Sequence, residues 1–235
     1  HEQNSILGKT NRILLNFSDK VFLNFNIPLK IHNKLQKKVF VVGLPENKLY
    51  YSKLENNNKY KNKFTILIIG GSQGSEFISK FSSQLIKNID QERKLTVRFI
   101  FQCPKKILSK VTNDLNGIKS ELIIKDYFPN IDEVLDKTSI AISRAGAGSI
   151  NDFINYNIPS ILIPLPTAKD NHQYYNASIL EKEKVAIILD QSKNELERAK
   201  NYIYNFHDNL KDLQKISDRF NKIRVKNSNS LIYKL

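Results

Sequence analysis

The chain has 235 residues, 40% of them hydrophobic, and a formal net charge of +14. Its size permits one large domain or a domain and a half, and its single cysteine excludes a disulfide framework or a cysteine-based zinc site. No stretch approaches the roughly 18 apolar residues of a membrane span. The lysines are scattered rather than clustered, so no nucleic-acid partner is expected. The charge leaves two interpretations open: an anionic membrane or substrate, and a solvated lysine-rich surface.

The first part of the chain, residues 1–44, differs from the rest. TNRILLNFSDKVFLNF and KKVFVVG predict a short helix and two strands, which we interpret as the end of an N-terminal α/β domain. The chain begins with His1 and contains no methionine, so we expect a fragment that lacks an N-terminal portion. Residues 45–63 are polar and rich in Asn and Lys, as is typical of a linker.

From Phe64 onward, short β-branched runs alternate with amphipathic stretches. Several runs are apolar on both faces, which is typical of strands covered by helices on two sides. The alternation predicts an α/β fold with a doubly wound parallel sheet over residues 64–208. The predicted strands are 64–70, 95–102, 121–125, 139–143, 160–165 and 185–189, and the predicted helices are 75–90, 104–115, 130–137, 148–157, 171–183 and 193–207.

The end of the chain, residues 209–235, is predicted to be a closing helix and a tail. Apolar residues from Leu210 to Ile223 recur at helical spacing, which indicates an amphipathic helix over 210–226. Cys103 ends the apolar run VRFIFQC, so we expect its thiol to be buried and inert.

A glycine-rich turn, SRAGAGSINDF, follows the fourth of these strands. Gly146 and Gly148 let backbone approach a ligand closely, and a helix that begins near Gly148 offers free N–H groups to a diphosphate. Asp152, one turn into this helix, could accept hydrogen bonds from a sugar diol. The alternative is that Ser149 or Asp152 only caps the helix.

A second glycine-rich turn, IIGGSQGS, follows the first strand and opens a helix. It is neither a GxGxxG fingerprint nor a P-loop, because it lacks the required spacing and the lysine. Carboxyl ends of parallel strands share one edge, where such sheets bind ligands, so both turns are expected to serve one site.

Polar residues in two other segments are expected near the same edge. In KDNHQYYNA, Gln173 and His172 project from a helix start, and Asn176 is assigned to local helix-start structure. His172 is interpreted as a surface or ligand-orienting residue rather than a catalyst, because the sequence fixes no partner acid. Asn4, in HEQN, could contact a hydroxylated ligand across an interdomain cleft.

The sequence contains no Asp-x-Asp pair and no His and carboxylate cluster with metal-ligand spacing. A metal-dependent sugar transferase of the Asp-x-Asp type is therefore disfavoured, and we expect neither a metal nor a cofactor.

HEQN, IIGGSQGS, SRAGAGSINDF and KDNHQYYNA occur in an order and at a spacing that closely resemble the MurG family. These enzymes are UDP-N-acetylglucosamine:undecaprenyl-pyrophosphoryl-muramoyl-pentapeptide N-acetylglucosaminyltransferases of peptidoglycan synthesis. The resemblance covers nearly the whole chain. It implies a GT-B fold of two Rossmann-like domains, of which this chain would hold the end of the first and all of the second, the UDP-sugar-binding domain.

The resemblance also implies roles for individual residues. Ser72 would lie near the nucleotide-sugar, the backbone of Phe128 would recognise uracil, and Gln173 and Asn4 would face the sugar. The segment that would hold the diphosphate and ribose comprises Ala147, Gly148, Ser149, Ile150, Asn151 and Asp152. The general base and much of the acceptor and membrane-docking surface would lie outside this chain, so its catalytic residues stay unknown.

The chain departs from the family pattern in two matched motifs. Asp152 stands where the family usually has Glu, so the ribose contact would be longer or bridged by water. Leu44 and Asn47 stand in GLPEN where the family has Asn and a phosphate-holding Arg. Loss of that arginine could cost on the order of 1.5–3 kcal/mol of charged hydrogen bonding, unless another cation substitutes for it.

The implied function is transfer of GlcNAc from UDP-GlcNAc to lipid I with inversion, which gives lipid II at the cytoplasmic face of the bacterial inner membrane. The implied partners are UDP-GlcNAc, lipid I and the anionic inner leaflet, and the protein would be peripheral. We expect the chain alone to be inactive. The alternatives are another GT-B UDP-sugar transferase with a lipid acceptor, and a non-catalytic UDP-sugar-binding fragment.

Overall fold

Six short runs of β-branched and aromatic residues form one parallel sheet. The computed structural model describes residues 1–27, 32–45, 63–70, 75–92, 94–210 and 213–235. Two shorter strands precede the sheet: β1 (Val21–Leu23) and β2 (Val39–Val41). The strands of the sheet are β3 (Phe64–Ile69), β4 (Val97–Gln102), β5 (Glu121–Lys125), β6 (Ile140–Ser143), β7 (Ser160–Leu162) and β8 (Ala186–Ile188). All six predicted strands of the sheet are confirmed.

The strand order is β5-β4-β3-β6-β7-β8, and every neighbouring pair is parallel. The sheet is therefore doubly wound, as predicted. Helices fill the connections between strands: α3 (Glu76–Glu92), α4 (Leu108–Asp114), α5 (Ile131–Lys137), α6 (Ala147–Asn155) and α7 (His172–Lys182). Helix α8 (Leu196–Asp208) follows the last strand. The six predicted helices are confirmed, although α4 is shorter because a 3-10 turn over Lys105–Ile107 precedes it.

Alternate residues of the central strand pack into two separate apolar layers. Ile66 and Ile68 belong to the layer beneath α3, α4 and α8, whereas Leu67 belongs to the layer beneath α5, α6 and α7. All six residues of β3 are buried, because helices cover both faces of the sheet. Cys103 is fully buried in the first layer, and burial raises the pKa of its thiol, as expected for an inert cysteine.

The first part of the chain contains helices α1 (Lys9–Leu14) and α2 (Asn33–Gln36) beside the parallel pair β1 and β2. An isolated bridge joins Glu2 to Leu23 of β1. The predicted helix and two strands are confirmed, and α2 is an additional helix. A small apolar cluster of its own lies here, while Phe25 packs into the second layer of the large sheet.

The chain ends in two helices, α9 (Leu213–Ile223) and α10 (Ser228–Lys234). Helix α9 is the predicted closing helix, and its Phe220 is fully buried in the second layer. Helix α10 was predicted as tail. Its first residue, Ser228, lies close to Gly43 in the first part of the chain: a Cβ added to Gly43 would lie 2.5 Å from Ser228 Oγ. Among the described residues, no helix combines the length and the apolar character needed to cross a membrane.

Candidate functional site

The carboxyl ends of β3 and β6 lie side by side at the centre of the sheet, where Ile69 pairs with Ser143. The chain continues from β3 toward β4 on one side and from β6 toward β7 on the other. Such a switch point opens a crevice that doubly wound sheets use for ligands. Both predicted glycine-rich turns begin here, the first at Gly70 and the second after Ser143. Ser72, in the first turn, lies outside the described residues.

The glycines of the second turn leave open space at the start of α6. Gly146 is the residue before the helix, at φ −65° and ψ 148°, a conformation that any residue can adopt. A Cβ at Gly146 or Gly148 would meet no atom of the described residues within 4 Å. The role of these glycines is therefore to leave room beside the backbone rather than to permit an unusual turn.

The first amide groups of α6 point into this space without helical acceptors. The first intrahelical bond runs from Ile150 N to Gly146 O, at 3.0 Å, and no side chain caps the helix. The alternative that Ser149 or Asp152 serves as its N-cap is therefore wrong. Free N–H groups and the positive end of the helix dipole are suited to an anion.

The predicted segment 147–152 presents different groups to its two sides. Ala147, Ser149 and Asn151 are partly exposed, and Gly148 is exposed. The Ile150 side chain is fully buried in the second apolar layer, so it anchors the helix start.

Asp152 lies in an environment that disfavours its charge. Burial raises the pKa of its carboxyl to about 7, and the nearby Asp132 contributes in the same direction. Asp132 belongs to the first turn of α5, so the loop after β5 and the start of α6 face each other. Near neutral pH this carboxyl can therefore be a hydrogen-bond donor or an acceptor.

Helix α7 begins after two residues with left-handed backbone, Asp170 and Asn171, each at φ 54°. Such a turn is uncommon outside glycine, although Asp and Asn tolerate it best. Gln173 Oε1 accepts a hydrogen bond from Leu165 N at 2.9 Å, which orients the side chain against the turn after β7. His172 Nδ1 lies 2.8 Å from Lys169 O, a contact that holds the ring against the turn before α7, and its orienting role stays a prediction.

Asn176 joins the first part of the chain to the second glycine-rich turn. Its side chain is fully buried, and its Oδ1 accepts from Ser5 N at 2.8 Å. Its Nδ2 donates to Asn4 Oδ1 and to Ala145 O, both at 3.1 Å. The expectation of a local role at the helix start is wrong, because all these partners lie in distant parts of the sequence.

Glu2 organises the HEQN segment, although no sequence pattern indicated a role for it. The residue is 5% exposed, and its carboxylate accepts from Gly8 N and Asn11 Nδ2 at 2.8 Å and from Asn4 N at 3.0 Å. Burial by itself would raise the pKa of Glu2, but the hydrogen bonds to its carboxylate outweigh this effect, so the pKa lies below its ordinary value. Glu2 therefore fixes the backbone that carries Asn4.

Phe128 follows β5 at the same edge of the sheet. Its ring is buried in the second layer, and Lys125 Nζ lies 5.8 Å from the ring centroid. The buried ring packs the loop after β5 onto the second layer. Asn47, where the family arginine is missing, lies outside the described residues. Among the described residues, no three His, Cys, Asp or Glu side chains form a group that could hold a metal ion.

Two curated relatives match nearly the whole chain. A protein of Wolbachia sp. subsp. Brugia malayi (strain TRS) is 32% identical over 230 residues, which is 97% of this chain and 64% of the relative. A protein of Rickettsia bellii (strain RML369-C) is 32% identical over 231 residues, 95% of this chain and 64% of the relative. Both are named UDP-N-acetylglucosamine–N-acetylmuramyl-(pentapeptide) pyrophosphoryl-undecaprenol N-acetylglucosamine transferase. This chain thus spans just under two thirds of their length.

A solved structure and a family model also match this chain. The crystal structure of Acinetobacter baumannii MurG matches with a TM-score of 0.79 at 21% identity, over 100% of this chain and 66% of that one. The fold is accordingly α/β of the GT-B type, as predicted. Residues 65–232 match the glycosyltransferase family 28 C-terminal domain. Since this match covers most of the chain, the chain belongs to glycosyltransferase family 28.

Proposed function

We propose that this chain is the nucleotide-sugar-binding part of an inverting transferase that moves GlcNAc from UDP-GlcNAc to lipid I, giving lipid II. The observation that carries the proposal is the open space at Gly146 and Gly148, beside the switch point and the free amides of α6. The names of the two curated relatives supply the substrates.

In the proposed reaction, the muramoyl hydroxyl oxygen of lipid I attacks the anomeric carbon of GlcNAc as the bond to the diphosphate breaks, and the hydroxyl proton passes to a base outside this chain. The attack comes from the face opposite the UDP, so the anomeric configuration inverts. Negative charge develops on the leaving diphosphate, and the amides of residues 147–149 would donate to it. We assign no general base within this chain and propose no metal or cofactor.

The other proposed contacts follow from the positions described above. Asp152 would bind the ribose hydroxyls, and the Phe128 backbone the uracil. Gln173, whose Oε1 is already held by Leu165 N, would offer its NH₂ group to the sugar, with Asn4 on the opposite side. Ser72 keeps its predicted role near the nucleotide-sugar.

We further propose the domain division inferred from the sequence. Residues 1–44 would be the C-terminal end of the acceptor-side domain, and residues 45–63 would be the linker. Residues 64–208 would form the UDP-sugar-binding domain, and residues 209–235 would form the closing helix and the tail. The separate parallel pair and the separate small apolar cluster of the first part support this division. The buried bonds of Asn176 would then lie at the junction of the two domains.

We also propose that the protein works as a peripheral protein at the anionic inner leaflet, where lipid I resides. Ile13, Leu14 and Phe17, on and after α1, are 64%, 50% and 82% exposed, and the basic residues Lys9 and Arg12 lie on the same helix. Apolar side chains beside basic residues are suited to an anionic lipid surface.

A binding experiment tests the proposed substrate. We expect isothermal titration calorimetry to detect binding of UDP-GlcNAc and of UDP to this chain, with the same affinity in EDTA. We expect no transfer to lipid I by the chain alone. Absence of UDP binding at millimolar concentration would contradict the proposed site, and measurable transfer would contradict the incomplete catalytic machinery.

A sedimentation experiment tests the membrane surface separately. The chain should co-sediment with phosphatidylglycerol vesicles more than with phosphatidylcholine vesicles, and Phe17→Ser should weaken this binding. Tyr233→Ser is the matched control, since Tyr233 is 93% exposed on α10. Equal loss in both variants would contradict a membrane role for the α1 surface.

A further inference from the structure

Arg144 is a buried cation at the centre of the carboxyl edge, and its donors hold several chain segments together. The residue is only 7% exposed. Its Nη1 donates to Ile163 O at 2.9 Å and to Pro164 O at 3.2 Å. Its Nη2 donates to Ser75 Oγ at 3.0 Å and to Gln191 Oε1 at 2.6 Å.

These contacts use four of the five N–H donors of the guanidinium, and all four acceptors are neutral. The guanidinium also lies 5.7 Å from the ring centroid of Phe77. Burying a cation is costly, and burial here lowers the pKa of the Arg144 guanidinium. In return, its four hydrogen bonds tie three chain segments together, which a smaller or neutral side chain could not do.

Ser75, one of these acceptors, is the residue at which α3 begins. Ser75 Oγ accepts from Ile78 N at 3.2 Å, and Ser75 O accepts from Ser79 N at 3.0 Å. Ser75 is thus the N-cap of α3, and the Arg144 side chain is bound to that cap.

The backbone of Arg144 belongs to the other helix start. It follows Ser143, the last residue of β6, and lies two positions before Gly146, from which α6 begins. One residue therefore links the start of α3 to the start of α6 across the switch point between β3 and β6.

We propose that Arg144 is a positioning residue that fixes the start of α3 relative to the start of α6, so that both can act on one diphosphate. The proposal rests on the proposed function. Arg144 itself does not contact the ligand in this arrangement, because both of its terminal nitrogens, Nη1 and Nη2, donate to protein acceptors. Its replacement should therefore alter recognition of the phosphates more than recognition of the nucleoside.

The decisive variant is Arg144→Lys, which keeps the positive charge but cannot reach four acceptors on three segments. We expect UDP binding, measured by calorimetry, to weaken roughly tenfold, or about 1.4 kcal/mol. Uridine binding should change less than about twofold. Arg198→Lys is the matched control, since Arg198 is exposed and contacts Glu195 Oε1 and Ile188 O, and it should leave both affinities unchanged. Wild-type affinity for UDP in folded Arg144→Lys, or equal losses for UDP and uridine, would overturn the proposal.

Hydrogen exchange provides a second readout that does not depend on a ligand. In Arg144→Lys, the amides of Ile78 and Ser79 should exchange roughly tenfold faster, while those in the middle of α8 keep their rates. Ser75→Ala should accelerate the same two amides, with little further effect in the double variant, because both changes break one contact. If the wild-type chain bound no UDP, the proposed function would fail, but the hydrogen-exchange rates would still test the positioning role of Arg144. Unchanged exchange rates of the Ile78 and Ser79 amides in Arg144→Lys would overturn that role.

Discussion

The side chain of Asn176 donates to Asn4 Oδ1 across 3.1 Å of space and 172 positions of sequence. The same side chain also binds Ser5 N and Ala145 O, so it connects HEQN to the turn before α6. Asn4, the proposed sugar contact, and the turn that leads to the proposed diphosphate site at the start of α6 are therefore joined by one set of hydrogen bonds.

Replacing Asn176 tests the importance of this unit for stability. Asn176→Ala leaves the buried groups Ser5 N and Ala145 O without partners, so the free energy of unfolding should fall by about 2–4 kcal/mol. Urea unfolding measures the change. Asn205→Ala, at an exposed position of α8, is the control and should stay within about 0.5 kcal/mol of the wild type. Equal effects of the two substitutions would contradict the role of Asn176 as a buried link.

Filling the space at the start of α6 should weaken ligand binding without harming the fold. A Cβ at Gly148 meets no atom within 4 Å in the described part of the chain, so Gly148→Val should change the unfolding free energy by less than about 1 kcal/mol. UDP affinity, measured by calorimetry, should fall at least about tenfold because the side chain occupies the proposed phosphate position. Gly148→Ala should give an intermediate loss. Undiminished UDP binding in both variants would refute this position for the diphosphate.

Gln173 should discriminate the sugar rather than the nucleotide. Gln173→Ala should weaken UDP-GlcNAc binding roughly tenfold and leave UDP binding nearly unchanged. Gln173→Glu keeps an acceptor for Leu165 N but loses the NH₂ donor, so it should behave like the alanine variant. Recovery of UDP-GlcNAc affinity in Gln173→Glu would indicate that Gln173 acts only by holding the turn after β7.

Asp152 should make stability depend on pH. Its pKa in the folded state is about 7, well above the value of 3.8 for an unperturbed carboxyl, so the folded state binds the proton more tightly. The unfolding free energy should therefore decrease as the pH rises from about 4 through 7. Asp152→Asn removes this dependence and should be more stable than the wild type at pH 8, by on the order of 1–3 kcal/mol, and similar to it at pH 4.

Urea unfolding at several pH values checks the expectation for Asp152. Asp114→Asn is the control, because Asp114 is exposed at the end of α4. A difference between Asp152→Asn and the wild type that does not grow with pH would contradict an elevated pKa.

Substitution of Gly43 should lower the stability of the protein for two reasons, its positive φ and the crowding of an added side chain. Gly43 and Gly117 both have positive φ, at 76° and 86°, so alanine at either position should cost about 1–2 kcal/mol of strain. Only at Gly43 would the new Cβ meet atoms, at 2.5 Å from Ser228 Oγ and 3.0 Å from Val225 Cβ. Gly43→Ala should therefore be destabilising by about 1–3 kcal/mol more than Gly117→Ala in urea unfolding. Equal losses would mean that α10 does not pack firmly on the first part of the chain.

The local pattern of the sequence was sufficient to predict the strands and helices of the sheet. Runs such as FTILII are apolar at every position because both faces of β3 are covered, and this signal depends only on neighbouring residues. Helix α10 was not predicted. Its segment SNSLIYK is short, and its position depends on Gly43, far away in the sequence.

The sequence also determined that polar and glycine-rich segments gather at one edge, since parallel strands place their carboxyl ends together. Only the tertiary structure decided which of these residues meet: Asn4 with Asn176, Arg144 with Ser75, and Asp152 near Asp132. The physical reason is that periodicity reports which face of an element is buried. The partner of a buried polar group, and hence its pKa and its strength as a link, depends on atoms brought together from distant positions.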